Sequence, residues 1–208
     1  MNQPTGLVAI LRGVRPDEIL AIGGALIDAG FTAIEIPLNS PDPFDSIERL
    51  AAAAPEGCVI GAGTVLTVDD VVRAESAGAR IMVSPNANPE VIAVATRRGM
   101  RAYPGVATPT EAFSAVDAGA RNLKLFPSDA VGISGMKAWR AVLPADIEML
   151  PVGGVDENNL ADWIAAGADG AGLGTNLYRP GDDADAVARR ARTLQDIWSD
   201  AYAERNPR

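Results

Sequence analysis

Histidine is absent from this 208-residue chain, which removes both the usual general base of enzymes and the commonest protein ligand of metal ions. Acid-base chemistry must therefore fall to lysine, carboxylates, tyrosine or water, and we expect no metal site. Cysteine is nearly absent too. Cys58 is the only one, so no intrachain disulfide can form, which is consistent with a reducing cytoplasm, where we expect the protein to act. We interpret Cys58 as a small buried apolar residue.

The sequence also lacks basic clusters and long apolar runs. The net charge is -9, which argues against nucleic acid or an anionic membrane as a partner. No run of about 18 apolar residues occurs, so we expect neither an export signal nor a membrane span. With 48% hydrophobic and 22% charged residues, the chain is typical of a soluble globular protein, and its length fits one domain over residues 1–208.

Short apolar runs recur along the chain and alternate with stretches of helical periodicity. Eight such strands joined by helices predict a parallel sheet closed into a (β/α)8 barrel. An open doubly wound sheet is the alternative, but neither GxGxxG after the first strand nor GxxxxGK[ST] occurs. The eight runs are LVAILRG, AIEIPLN, CVIGAGTV, RIMVSPN, RAYPGVA, NLKLFPS, IEMLPVGGV and GAGLGTN.

Start and stop signals divide the helices from the strands. Four predicted helices end at an Ala-Gly pair, where glycine can adopt the left-handed cap conformation. These pairs end at Gly30, Gly78, Gly119 and Gly167. Thr67 and Thr108 precede acidic residues and predict helix N-termini. We place the prolines that follow Ile36, Phe126 and Leu150 at the C-terminal ends of strands.

Lys124 and Glu35 are the strongest catalytic candidates, because barrel enzymes carry their reacting residues at the C-terminal ends of strands. Lys124 lies between leucines in NLKLF, and a buried amine loses its charge and becomes a nucleophile for ketones. A lysine that extends to solvent at the rim is the alternative. Glu35 lies on the second predicted strand and Lys124 on the sixth, so both can face the same interior layer. Alone, Glu35 could equally be a structural ion-pair residue.

Two further sets of residues predict a site for an anionic substrate. Arg12 ends the first strand and can hold a carboxylate with two hydrogen bonds, and Thr64 adds a hydroxyl donor. A rim salt bridge for Arg12 and a helix cap for Thr64 are the alternatives. Gly153-Gly154 and Gly174-Thr175 follow the seventh and eighth strands, where barrels often bind phosphate through backbone N–H groups.

Taken together, these motifs resemble the 2-keto-3-deoxy-6-phosphogluconate and 6-phosphogalactonate aldolases, a family of pyruvate-forming class I aldolases. The likeness extends over nearly the whole chain. It is carried by AILRG, EIPLNSP, IGAGTV, SPN, LKLFP, PVGGV and GLGTNLY. The family has a (β/α)8 fold and is usually trimeric, so the resemblance implies a homotrimer.

The resemblance implies a role for each matching residue. Lys124 would form the imine and Glu35 would move protons. Arg12 and Thr64 would hold the pyruvate carboxylate, and Pro85 and Phe126 would line the pocket. Gly153, Gly154, Gly174 and Thr175 would meet the phosphate. Members that act on the gluconate compound carry arginine where this chain has Asn39, and Val152 likewise resembles the galactonate branch.

The predicted reaction is therefore cleavage of a phosphorylated 2-keto-3-deoxy sugar acid into pyruvate and glyceraldehyde 3-phosphate. The galactonate compound is the expected substrate, and its C4 epimer in the gluconate series, or both, is the alternative. Imine chemistry requires no metal or organic cofactor. The competing hypotheses are a phosphate-binding isomerase or synthase on a similar barrel, which would not need Lys124, and a sugar-phosphate sensor without catalytic activity.

Overall fold

A computed structural model describes residues 5–206, so the two ends of the predicted 1–208 domain lie outside the described residues. Strands and helices alternate along the chain. The strands are β1 (Gly6–Ile10), β2 (Ala33–Pro37), β3 (Val59–Gly63), β4 (Ile81–Val83), β5 (Arg101–Tyr103), β6 (Gly105–Val106), β7 (Asn122–Leu125), β8 (Glu148–Pro151) and β9 (Gly170–Leu173). The helices are α1 (Ile19–Asp28), α2 (Pro43–Ala53), α3 (Val68–Ser76), α4 (Pro89–Arg97), α5 (Pro109–Asp117), α6 (Ser128–Arg140), α7 (Leu160–Ala165) and α8 (Ala184–Arg205).

All strand pairs are parallel and form two sheets. The larger has the order β5-β4-β3-β2-β1-β9 and the smaller the order β6-β7-β8. Consecutive strands are therefore neighbours, with no reversal of order of the kind that defines a doubly wound sheet. An isolated bridge joins Val152, just after β8, to Gly172 in β9. The fold is thus α/β with parallel sheets, and the doubly wound alternative is wrong.

The fifth predicted strand is divided into β5 and β6, so the described chain has nine strands where eight runs were predicted. Pro104 separates the two pieces. Proline has no N–H to donate to a neighbouring strand, so the ladder is interrupted there. Its carbonyl oxygen still accepts a hydrogen bond from the Lys124 N–H at 3.0 Å.

The predicted helix signals are confirmed. Gly30, Gly78, Gly119 and Gly167 all have φ between +95° and +107°. Thr67 and Thr108 each accept a hydrogen bond from the backbone N–H three residues later, in reciprocal capping boxes. The spacing of apolar residues over 135–143 predicts a helix there, but the observed helix begins earlier. Helix α6 begins at Ser128 and is interrupted at Gly132, whose φ of +69° breaks the helical turn.

The sheets are buried on both faces. In β1, Leu7 and Ala9 belong to a large core shared with the helices, whereas Val8 belongs to a smaller one. Successive side chains of a strand point to opposite faces, so the smaller core lies on the face away from the helices. That smaller core consists of strand residues alone: Val8, Ala33, Ile81, Val83, Tyr103 and Leu150.

Cys58 departs from the prediction, because it is only partly buried. It precedes β3, and its thiol donates to the Phe31 carbonyl at 3.8 Å. Partial burial raises the pKa of the thiol, so the thiolate is disfavoured. Within residues 5–206, no helix combines the length and the apolarity needed to cross a membrane.

Candidate active site

Lys124 is buried at the centre of β7, with 7% of its surface exposed. Its neighbours Leu123 and Leu125 belong to the large core, so alternation directs the lysine side chain to the opposite face. The Nζ atom lies 4.5 Å from the centroid of the Phe126 ring. Burial lowers the pKa of the Lys124 amine, and the charge of Arg12 lowers it further against the opposing effect of Glu35. The uncharged amine, which is the nucleophilic form, is therefore favoured.

Glu35 is even more deeply buried, at 2% exposed, on the corresponding face of β2. A glycine beside it provides the space for its side chain, since a Cβ atom added at Gly63 would lie 1.8 Å from Oε2. Within residues 5–206, that oxygen has no hydrogen-bond partner. Burial raises the Glu35 pKa to about 7, although the charges of Lys124 and Arg12 oppose the shift. Glu35 can therefore both donate and accept a proton near neutral pH.

The two residues share an apolar cavity of about 20 Å³. Its other lining residues are Val8, Ile10, Val83, Tyr103, Leu150, Val152 and Gly172. No ion pair within 4.0 Å joins Glu35 to Lys124 anywhere in the described range. An amine and a carboxyl group are thus held in the same apolar surroundings without neutralising each other by direct contact. This arrangement suits proton transfer beside a nucleophilic amine.

Lys124 also opens onto a second, larger cavity of about 420 Å³. Most of the other predicted substrate residues line it, from four different strand ends. They are Arg12, Phe126, Val152, Gly153, Gly154, Gly174 and Thr175. The structure therefore brings these residues around the amine, while Glu35 lies against the smaller cavity on the inner side. A substrate in the larger cavity would meet the exposed end of Lys124.

The two glycine segments form the outer wall of this larger cavity. Gly153 and Gly154 have φ of +97° and +72°, a conformation that favours glycine. The Ser128 N–H donates to the Val152 carbonyl at 2.9 Å, and the Ser128 hydroxyl donates to the Gly153 carbonyl. The Gly174 carbonyl accepts hydrogen bonds from two later N–H groups in a tight turn. Gly153, Gly154 and Gly174 carry no side chain of their own, so an anion can approach their backbone N–H groups. The Asp129 carboxylate packs against Gly154, where an added Cβ would lie 2.2 Å from Oδ1.

Thr64 and Pro85 are not among the residues that line the larger cavity. Thr64 directly follows β3 with φ of +55°, which is strained for a β-branched residue. Such strain is often found at functional sites. The Pro85 carbonyl packs against Gly105, where an added Cβ would lie 2.4 Å away. Thr64 follows β3, the neighbour of β2, and Pro85 follows β4, one strand further along the sheet. Neither residue lines a cavity that Lys124 lines.

Two residues with polar side chains in the lining of the larger cavity were missed by sequence reasoning. The Tyr178 hydroxyl donates to Glu18 Oε1 at 3.0 Å, and its ring lines the larger cavity. The Asn176 amide, also in the lining, donates to the Val155 carbonyl at 2.8 Å. Both residues belong to the GLGTNLY motif, so their position after a strand was visible. Their orientation was not, because it depends on contacts with distant loops.

The raised pKa of Glu35 predicts that the folded protein loses stability as the pH rises. The pKa is 4.5 in the reference state and about 7 when folded, so between these values only the folded state holds the proton. The loss should be complete above pH 7 and on the order of 3 kcal/mol. Urea unfolding of the wild type and Glu35→Gln at about pH 5 and about pH 8 tests this. The free energy of unfolding of the wild type, relative to that of Glu35→Gln, should be lower at pH 8 than at pH 5. An unchanged difference would contradict a Glu35 pKa of about 7.

Residues 2–189 match the family model for KDPG and KHG aldolase. A protein of Rhizobium meliloti strain 1021 named "Probable 2-dehydro-3-deoxy-6-phosphogalactonate aldolase" is 57% identical over 191 residues, which cover 92% of this chain and 89% of that protein. The "2-dehydro-3-deoxy-6-phosphogalactonate aldolase" of Escherichia coli strain K12 is 50% identical over 94% of this chain and 95% of its own length.

Solved structures agree with these relatives. A structure described as "Native KDPGal structure" superposes with a TM-score of 0.92 at 50% identity and covers 94% of this chain and 95% of its own. A designed cage, described as built "by fusing symmetric oligomeric domains", matches 98% of this chain and 75% of its own at 48% identity, with a TM-score of 0.94.

Proposed function

Because this chain belongs to the KDPG and KHG aldolase family, we propose that it cleaves 2-dehydro-3-deoxy-6-phosphogalactonate into pyruvate and D-glyceraldehyde 3-phosphate. It is a carbon-carbon lyase of the class I type. The single observation that carries the mechanism is the burial of Lys124, at 7% exposed, beside the carboxyl group of Glu35. The named relatives, at 57% and 50% identity, support the galactonate compound as the substrate.

The first step forms an imine between the enzyme and the substrate. The uncharged Lys124 amine attacks the C2 ketone to give a carbinolamine. The carboxylic acid form of Glu35 then protonates the C2 hydroxyl, which leaves as water, and a protonated imine remains. A pKa near 7 supplies both forms of Glu35 for these transfers. The apolar cavity around the pair excludes water that would otherwise favour the charged amine.

The second step breaks the C3–C4 bond. The Glu35 carboxylate accepts the proton of the C4 hydroxyl, directly or through a water molecule, and the C4 oxygen becomes an aldehyde. The electrons of the broken bond pass to the imine nitrogen and leave an enamine of pyruvate on Lys124. Protonation at C3 and hydrolysis of the imine release pyruvate and restore the amine. Atoms and electrons balance without a metal or an organic cofactor.

The other site residues bind the two charged ends of the substrate. Arg12 and Thr64 would hold the carboxylate, since a guanidinium can form a bidentate pair. The backbone N–H groups of Gly153, Gly154, Gly174 and Thr175 would receive the phosphate. Pro85 and Phe126 would line the pocket between these ends. The spread of these groups across the strand ends suits a substrate that is anionic at both ends.

Val152 is proposed to favour the galactonate configuration at C4, because it lines both cavities beside Lys124 and offers no hydrogen-bond donor. The test compares both C4 epimers in an assay that detects pyruvate. The galactonate compound should react with a kcat/KM at least about tenfold higher, since a hydroxyl placed against an apolar side chain loses its hydrogen bond. A faster reaction with the gluconate epimer would instead assign the alternative substrate.

The fold is proposed to be one closed (β/α)8 domain. The bridge between Val152 and Gly172 links β8 to β9, and the Asp169 N–H donates to the Met149 carbonyl at 3.0 Å. At the other edge, β6 follows β5 after Pro104 alone. If β5 and β6 count as one strand, the order of neighbours is circular with eight members.

A cytoplasmic homotrimer is also proposed. The designed cage with 48% identity is described as made from symmetric oligomeric domains. Leu66 and Phe113 expose large apolar side chains on the described surface, which a neighbouring subunit could cover. The single cysteine is consistent with a reducing compartment.

A further inference from the structure

Arg12 lines the larger cavity, and its side chain is exposed. Its Nη1 donates to Asn39 Oδ1 at 2.5 Å. No carboxylate of the described chain, residues 5–206, lies within ion-pair distance of Arg12. The hydrogen bond to Asn39 therefore restricts the rotation of a guanidinium that has no carboxylate partner within residues 5–206.

Asn39 can hold the Arg12 guanidinium in place because the turn that carries Asn39 is fixed by hydrogen bonds on both sides. The Leu38 N–H donates to the Gly63 carbonyl at 2.8 Å, and the Ser40 N–H donates to the Pro37 carbonyl at 2.9 Å. The Ser40 hydroxyl is buried and accepts a hydrogen bond from the Gly13 N–H at 2.9 Å. Two hydrogen bonds thus join the segments 12–13 and 39–40. Ser40 accepts one from the Gly13 backbone, and Asn39 accepts the other from the Arg12 guanidinium.

The neutral amide of Asn39 is a suitable partner for an arginine that binds an anionic substrate. A carboxylate at position 39 would form an ion pair with Arg12 and compete with an anionic substrate. A neutral amide oxygen accepts one hydrogen bond and leaves the charge and the remaining N–H donors of Arg12 free.

We propose that Asn39 is a positioning residue that holds the Arg12 guanidinium over the cavity in the orientation that receives the substrate carboxylate. The proposal rests on the proposed function, in which Arg12 binds that carboxylate. Asn39 touches no reacting atom and acts only through Arg12. Its loss should therefore weaken substrate binding and leave the chemical step unaffected.

The test is steady-state kinetics of pyruvate release by Asn39→Ala and Asn39→Asp. In Asn39→Ala, KM should rise about tenfold while kcat stays within about twofold, as expected for a lost hydrogen bond to a charged group. In Asn39→Asp, the rise should be larger, because the new carboxylate neutralises Arg12. The matched control is Asn88→Ala: Asn88 caps α4 by accepting from the Glu90 N–H at 3.0 Å. That variant should lose stability but keep its KM.

A double-mutant cycle separates a positioning role from a structural one. In an Arg12→Ala background, adding Asn39→Ala should not change KM further. The inference is overturned if KM is unchanged in the single Asn39→Ala variant. It is also overturned if Asn39→Ala raises KM equally in the Arg12→Ala background. In either case, pyruvate release by the wild type leaves the proposed function standing. If the wild type releases no pyruvate, the proposed function and this inference both fail.

Discussion

Lys124→Ala is expected to lower kcat by at least about 10,000-fold, because removal of the nucleophile abolishes the covalent route and leaves only binding. The fold should persist. The substitution removes an amine whose burial disfavours its charged form, so the folded state loses an unfavourable group together with some packing. Pyruvate release measures the first effect, and circular dichroism with urea unfolding measures the second.

The chain offers a closely matched control, because it contains only two lysines. Lys137 is exposed on helix α6, so Lys137→Ala removes the same chemical group from the surface. That variant should retain wild-type kcat and KM. Substantial activity in folded Lys124→Ala would rule out Lys124 as the nucleophile and, with it, the imine mechanism at this position.

Glu35→Gln is expected to give the second largest effect, a fall in kcat of about 100- to 10,000-fold. Glutamine keeps the size of the side chain but cannot exchange a proton at neutral pH. Since Glu35 lies against the smaller cavity, outside the lining of the larger one, KM should change much less than kcat.

The pH dependence of kcat/KM distinguishes proton transfer from a purely structural role, because it reports groups of the free enzyme. In the wild type, kcat/KM should change across the region near pH 7 where Glu35 titrates. In Glu35→Gln that inflection should be missing from the residual activity. An inflection that persists near pH 7 in the variant would assign the titration to another group and remove Glu35 from the mechanism.

The placement of Lys124 and Glu35 on the same face of their strands followed from the sequence, because it depends on local pattern. A lysine between two core leucines can only point to the other face of its strand, and Glu35 occupies the same phase in β2. The structure places both against one cavity. The glycine caps and the two threonine capping boxes were equally visible, since they depend on a few consecutive residues.

Features that depend on distant contacts were not visible in the sequence. The hydrogen bond from Arg12 to Asn39 joins two loops 27 residues apart, and Tyr178 bonds Glu18 across 160 residues. The break at Pro104 was missed because the run RAYPGVA is apolar on both sides of the proline. Pattern alone also does not place Thr64 and Pro85, which follow strands β3 and β4 but lie outside the lining of the larger cavity.

The claim that Lys124 is an uncharged nucleophile is tested most directly by reducing the protein with borohydride in the presence of pyruvate and mapping the modified peptide by mass spectrometry. One reduced adduct is expected, on Lys124, in the wild type and in Lys137→Ala, and none in Lys124→Ala. An adduct on Lys137 alone, or no adduct in an active wild type, would contradict it.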